Sequence, residues 1–228
     1  MTKTQKDEVL VDVVGAYSKT ERYIEENKKS LSIITGAIIL IVGGYFGYKK
    51  LYVEPMETEA QSQMFMAERY FERDSLELAI NGDGQWLGFL DIVDEYSITP
   101  SGNLANYYLG ICYLKKGQYQ DAIDYLSAFD CDDEMASSVA IGAIGDAYMQ
   151  LGETKTAVTY YIDAAKEQKN DFTSPIYLMK AAQALEGLGD FKKAIGVYED
   201  IRKNYPETKE GLEVEKYLER AGTLSVNK

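Results

Sequence analysis

The side chains from which a reaction could be built are few. The 228 residues include no histidine, so no side chain has an unperturbed pKa near neutrality. His-based general acid–base catalysis, Ser-His-Asp and Cys-His arrangements and His-ligated zinc are therefore excluded. The acidic run Asp130, Asp132, Asp133, Glu134 lacks the D-x-D-x-D-G order and distant glutamate of a calcium loop, and reads as a solvated connection. The 19 glycines form neither GxGxxG after a strand nor GxxxxGK[ST], so no phosphate cradle is expected. The expectation is a protein that is not an enzyme, holds no metal and needs no cofactor. A formal net charge of −13 repels a phosphate backbone and argues against nucleic acid as a partner.

Function must then reside in surfaces, and the elements that shape them begin with an apolar run. From Leu31 to Tyr48 the chain has 18 residues without a charge, about 27 Å as a helix and close to the thickness of a bilayer core. Lys28 and Lys29 precede it and Lys49 and Lys50 follow, unlike a buried core helix. Six acidic residues precede the run and no A-x-A-like site follows, unlike a cleaved signal peptide. The reading is an uncleaved signal-anchor at residues 30–50. Lys19, Arg22, Lys28 and Lys29 outnumber Lys49 and Lys50, which puts the N-terminus in the cytoplasm. Tyr45, Phe46, Tyr48 and Tyr52 gather at the far end, where aromatic rings prefer the headgroup layer. Ser32, Gly36, Gly43 and Gly47 share one face within roughly 60° and suit close packing against another membrane helix. Before the anchor, residues 1–29 form an amphipathic stub with Val9, Leu10, Val13, Val14 and Tyr17 at helical spacing. Ser18 to Glu21 has capping-box form and should open a second helix. The stub lies on the membrane, docks on a partner or is an unstructured tail.

Beyond the anchor the sequence repeats. Leu109, Gly110, Tyr113, Gly117, Ala122 and Leu126 recur 35 residues later as Ile144, Gly145, Tyr148, Gly152, Ala157 and Tyr161. A third copy reads Ala181, Ala182, Leu185, Gly189, Ala194 and Tyr198, closing with Pro206 at an offset of 37. The small residues mark where the two helices of a pair cross. Gly117, Gly152 and Gly189 mark where the first helix stops in a left-handed turn. Each pair leaves an apolar face that only the next pair covers, which makes a one-dimensional stack. Cys112 falls in the first helix of a pair and Cys131 just past the second, about 13 Å apart and beyond disulfide reach of about 7 Å. Two free thiols are expected. Residues 54–98 read as a degenerate first pair interrupted at 81–84, residues 103–206 as three repeats, and residues 207–228 as a capping helix and tail.

This pattern resembles the tetratricopeptide repeat family, with L-G-x-x-Y in helix A, a turn glycine, and A-x-x-x-F with a later proline in helix B. The fold class expected is all-α: one transmembrane helix followed by a helical solenoid. The resemblance implies an inner groove lined by helix A. Tyr107, Ile111, Leu114, Asp146, Met149, Met179, Gln183 and Glu186 are its expected lining. The full layout, with Tyr23-x-x-Glu26-Asn27-Lys28-Lys29 just before the span, is similar to the YfgM-type ancillary subunits of the bacterial SecYEG translocon. That resemblance implies a non-catalytic inner-membrane subunit with a periplasmic array. The span packs beside the channel, and the array meets secreted chains or periplasmic chaperones at its exit. A scaffold for outer-membrane biogenesis or cell division fits the repeats equally. Residues 1–53 hold 8 basic and 6 acidic side chains, whereas residues 54–228 hold 16 and 31. The membrane module is thus slightly basic, and the array at −15 is far more acidic than the whole chain.

Overall fold

The computed structural model describes residues 3–226 apart from 168, and the side chains of residues 21–226 apart from 134 and 168. Every element among the described residues is helical. The chain divides into two compact units, Met1–Pro55 and Met56–Lys228.

The first unit is helix α1, Lys3–Tyr48, followed by a π-helical turn, Lys49–Val53, in which the Glu54 amide donates to the Lys49 carbonyl. No second helix opens at Ser18: α1 runs through it. Residues 16–35 hold neither Pro nor Gly, and a capping side chain ends nothing when the preceding backbone is itself helical. The side chains of Val9, Leu10, Val13, Val14 and Tyr17 lie outside those described. The helical stretch that includes this apolar run is long and apolar enough to cross a membrane, with a best-window mean hydropathy of 1.9 and none of that window buried. Leu40, for example, is 77% exposed.

The second unit begins within α2 (Glu54–Glu72) and continues through α3 (Leu76–Asn81), α4 (Phe89–Tyr96), α5 (Pro100–Lys116), α6 (Tyr119–Ala128), α7 (Glu134–Gln150), α8 (Thr154–Glu167), α9 (Ser174–Gly187), α10 (Phe191–Asn204) and α11 (Lys209–Val226). Local chemistry sets the boundaries. Thr99 accepts from the Gly102 amide ahead of α5, with Pro100 in the first turn. Asp133 accepts from the Met135 and Ala136 amides at α7, and Asp190 from the Lys193 amide at α10. Such caps are each worth about 1 kcal/mol. Gly117, Gly152 and Gly189 hold φ near +77°, +79° and +74°. The residue after each returns a hydrogen bond into the last turn: Gln118 to Tyr113, Glu153 to Tyr148 and Asp190 to Leu185. This is the helix ending that a left-handed glycine makes possible without strain.

Pairs close on small residues. A β-carbon at Gly110 would overlap Leu126 Cγ, and one at Gly145 would lie 2.7 Å from Tyr161 Cε1. Ala122, Ala157 and Ala194 are fully buried opposite, with Leu126, Tyr161 and Tyr198 around them. The half-buried Tyr113 and Tyr148 stack on Tyr125 and Tyr160 of their own pairs. In the first pair the second helix is split. Gly82 and Gly84 turn at positive φ, and the Asp83 carboxylate accepts from the Gln85 and Trp86 amides and the Tyr70 hydroxyl. Glu57 then ties α2 to the start of α5 through the Ser101 amide and hydroxyl. At the other end Pro206 turns the chain into α11, which buries Val214 and Ala221 and is held by Arg220 on Glu186 at 2.6 Å.

Candidate binding groove

α5, α7 and α9 present their C-terminal halves to a common cavity of about 660 Å³. Its lining includes the apolar Leu114, Tyr119 and Met149 and the polar Gln150, Thr154 and Gln183. An ionic cluster on the same lining, Asp146 with Lys180 and Tyr161, joins two repeats. Lys180 on α9 donates to both Asp146 oxygens at 2.8 Å. Tyr161 on α8 donates its hydroxyl to the same carboxylate at 2.7 Å. The Lys180 ammonium stands 5.6 Å from the Tyr161 ring centre and 5.5 Å from that of Tyr177, within cation–π range.

Gly142 explains how Tyr177 reaches this cluster. A β-carbon there would overlap the Tyr177 ring, so α9 lays a tyrosine directly on the backbone of α7. Burial first, and then the Asp146 charge, pushes the Tyr177 phenol up to about 12. Burial, and then the hydrogen bond to Asp146, raises that of Tyr161 further still. Both phenols remain neutral in any physiological buffer. The arrangement offers neutral amide, hydroxyl and ammonium donors beside an apolar wall, which suits a polypeptide segment with its own carbonyls and apolar side chains. Among the described residues no group of three or more His, Cys, Asp or Glu could hold a metal.

Of the expected groove residues, the fold brings Leu114, Asp146, Met149 and Gln183 to the cavity. Four others lie elsewhere. Tyr107 and Ile111 pack partly buried against a cluster shared by α6 and α7, with Ile123, Ala140 and Ala143, and Tyr107 abuts Phe129. Met179 is buried in the core. Glu186 has a side chain only 10% exposed, spent on the ion pair with Arg220. The physical reason is that a helix A in a stack shares its surface among its own partner, the next pair and solvent. A single register cannot say which face a side chain meets in the first repeat and which in the last. Sequence reasoning missed Lys180 and the hydroxyl of Tyr161. Lys180 stands one turn before Gln183, which is the signal that could have found it. The ring of Tyr161 is packed in the core, while its hydroxyl reaches through to Asp146.

Cys112 and Cys131 carry no disulfide. Cys112 is buried, and burial pushes its thiol up to about 11. On α1, Gly36, Gly43 and Gly47 have nothing among the described residues within 4 Å of where a β-carbon would lie.

Comparison with known proteins agrees with this architecture. Residues 89–136, 140–174 and 177–208 match family models of the tetratricopeptide repeat. Two solved structures of a Podosopora anserina protein described as a kinesin light chain with nearly identical TPR-like repeats, one of them a point variant, are similar in fold. Each has 18% identity and a TM-score of 0.56 over 75% of this chain and 89% of its own. No curated protein matches the chain.

Proposed function

From a chain whose repeats are tetratricopeptide repeats, which serve protein–protein interaction, we propose a membrane-anchored, non-catalytic adaptor of the protein-export channel. In this reading the apolar part of α1 crosses the bacterial inner membrane once with the N-terminus in the cytoplasm, and the array works in the periplasm. The open small-residue face of α1 packs beside a SecYEG subunit. The cavity around Asp146 and Lys180 takes a segment of a secreted polypeptide or of a periplasmic chaperone.

The observation that carries this reading is the pairing of an apolar helix whose apolar stretch is not buried among the described residues with a groove lined by Gln150, Thr154 and Gln183 beside the Asp146–Lys180 pair. One part supplies location and the other supplies binding, and no reacting group is required of either. The test is gentle detergent co-purification of the full chain carrying a photo-crosslinker in turn at positions 36, 43 and 47. The expected result is a stoichiometric adduct with a channel subunit from that face. Partner recovery that survives deletion of residues 1–53 would refute the channel assignment and point to an envelope scaffold instead.

A further inference from the structure

The acidity of the array is confined to its first part. Residues 54–152 hold 4 basic and 18 acidic side chains, whereas residues 153–204 hold 8 and 8. The neutral part also carries an apolar trough that the peptide groove does not use. Three overlapping depressions of about 450, 400 and 310 Å³ run between α8 and α10. Their floor is Val158 with Leu178 and Leu185 of α9, and their walls are Ile162 and Val197. At 100° per residue, Leu178 and Leu185 lie on the side of α9 opposite Lys180, Gln183 and Gly187. The trough is thus on the outer face of the stack, back to back with the groove.

Two features shape it for a partner. Gly196 stands where neighbouring positions of α10 carry side chains, and nothing lies within 4 Å of its would-be β-carbon, so the trough is open at its middle. Lysines surround it: Lys155 at one end, Lys166 and Lys193 at the middle, and Lys169 at the other end. Of these four only Lys193 is in an ion pair among the described residues, with Asp190, and Asp200 is the other carboxylate on the lining. The span from Lys155 to Lys166 is about 16 Å along α8, or roughly three helical turns.

We propose that this trough docks an amphipathic helix of a partner protein whose apolar face is flanked by Asp and Glu. Leucine-sized side chains at i, i+3, i+4 and i+7 seat over Val158, Leu178 and Leu185, and the flanking carboxylates meet Lys155, Lys166 and Lys169. The acidic part of the array, at −14 over residues 54–152, repels such a helix and so restricts it to the neutral stretch from α8 to α10.

The test uses the full chain in nanodiscs of zwitterionic lipid, with empty discs as baseline. The probe is a fluorescent 16-residue peptide with leucine on one face and glutamate on its flanks, read by anisotropy. The expected result is saturable binding that falls about tenfold in Lys155→Glu with Lys166→Glu, and at least as much in Gly196→Leu, which fills the trough. Gly196→Leu should keep the wild-type circular dichroism and melting temperature, so the loss is not unfolding. Asp146→Ala should leave this binding unchanged, which separates the trough from the groove. Binding that ignores both Gly196→Leu and the charge reversals, or no binding at all, overturns the proposal. So does self-association of the chain that Gly196→Leu abolishes, because the occupant is then a second copy.

Discussion

Changing Gly110 to alanine should destabilise the array although alanine is the better helix former. In α5 the exchange recovers about 1 kcal/mol of helix propensity. The added methyl, however, overlaps Leu126 Cγ and lies 2.8 Å from Cδ2. Leu126 is 2% exposed and has no solvent-facing rotamer to escape to. Overpacking costs about 1–3 kcal/mol, and two contacts this close put it in the upper part of that range, about 2–3 kcal/mol, so the net loss should be about 1–2 kcal/mol, or roughly 2–8 °C in melting temperature for a unit of this size. Leu126→Ala alone should cost about 2–5 kcal/mol through its cavity. In the double variant the new methyl occupies part of that cavity, and the combined loss should fall short of the sum by about 1–2 kcal/mol. Thermal unfolding of the full chain in detergent, followed by far-ultraviolet circular dichroism, measures all three, and the single Trp86 reports on the neighbouring pair. Gly222→Ala in α11, with nothing within 4 Å, is the control and should gain about 0.5–1 kcal/mol. A neutral or stabilising Gly110→Ala, or strict additivity with Leu126→Ala, would refute the close crossing of α5 and α6.

Tyr161→Phe and Lys180→Met should each cost no more than about 1 kcal/mol, because the Asp146 and Lys180 side chains are over a third exposed; a double-mutant cycle with Asp146→Asn should show coupling, and its absence would sink the cluster as a unit. Maleimide at pH 8 should label Cys131 and spare Cys112, whose thiol burial holds at about 11; mass spectrometry after labelling decides it. Glu186→Ala should speed hydrogen exchange through α11, residues 209–226, because Arg220 loses its 2.6 Å partner. At Glu57 burial acts to raise the pKa, but hydrogen bonds from the Ser101 amide and hydroxyl, with Gln61 and Thr99, together outweigh it and lower the value. A lowered folded-state pKa contributes stability that is present above the unfolded value and lost as pH falls through the folded one. The attachment of α2 to α5 should therefore loosen below about pH 4, and Glu57→Gln should flatten that acid limb in Trp86 fluorescence.

The repeats were legible because their signals are local and occur three times. A glycine that must take positive φ, an alanine at a helix crossing and an aromatic three or four residues on are each forced by backbone geometry within one pair. The apolar run was legible for the same reason, since 18 uncharged residues need no neighbour to be recognised. The break at Ser18 was misread because a cap depends on the conformation of the residues before it. Half the groove was misplaced because Tyr107, Ile111, Met179 and Glu186 sit at positions whose exposure depends on what the adjoining pair or α11 brings against them.

Composition and spacing alone thus determined a chain of stacked helical pairs, an apolar helix long enough for a bilayer, and the absence of histidine chemistry. Only the tertiary structure decided which side chains share a cavity. Asp146 and Lys180 are 34 residues apart, and Gly142 and Tyr177 are 35 apart. Such pairs meet through the rotation of one repeat on the next, a quantity set by the sum of many contacts and written in no single motif. Within α9, helical periodicity alone puts Lys180 and Gln183 on the groove side and Leu178 and Leu185 on the trough side.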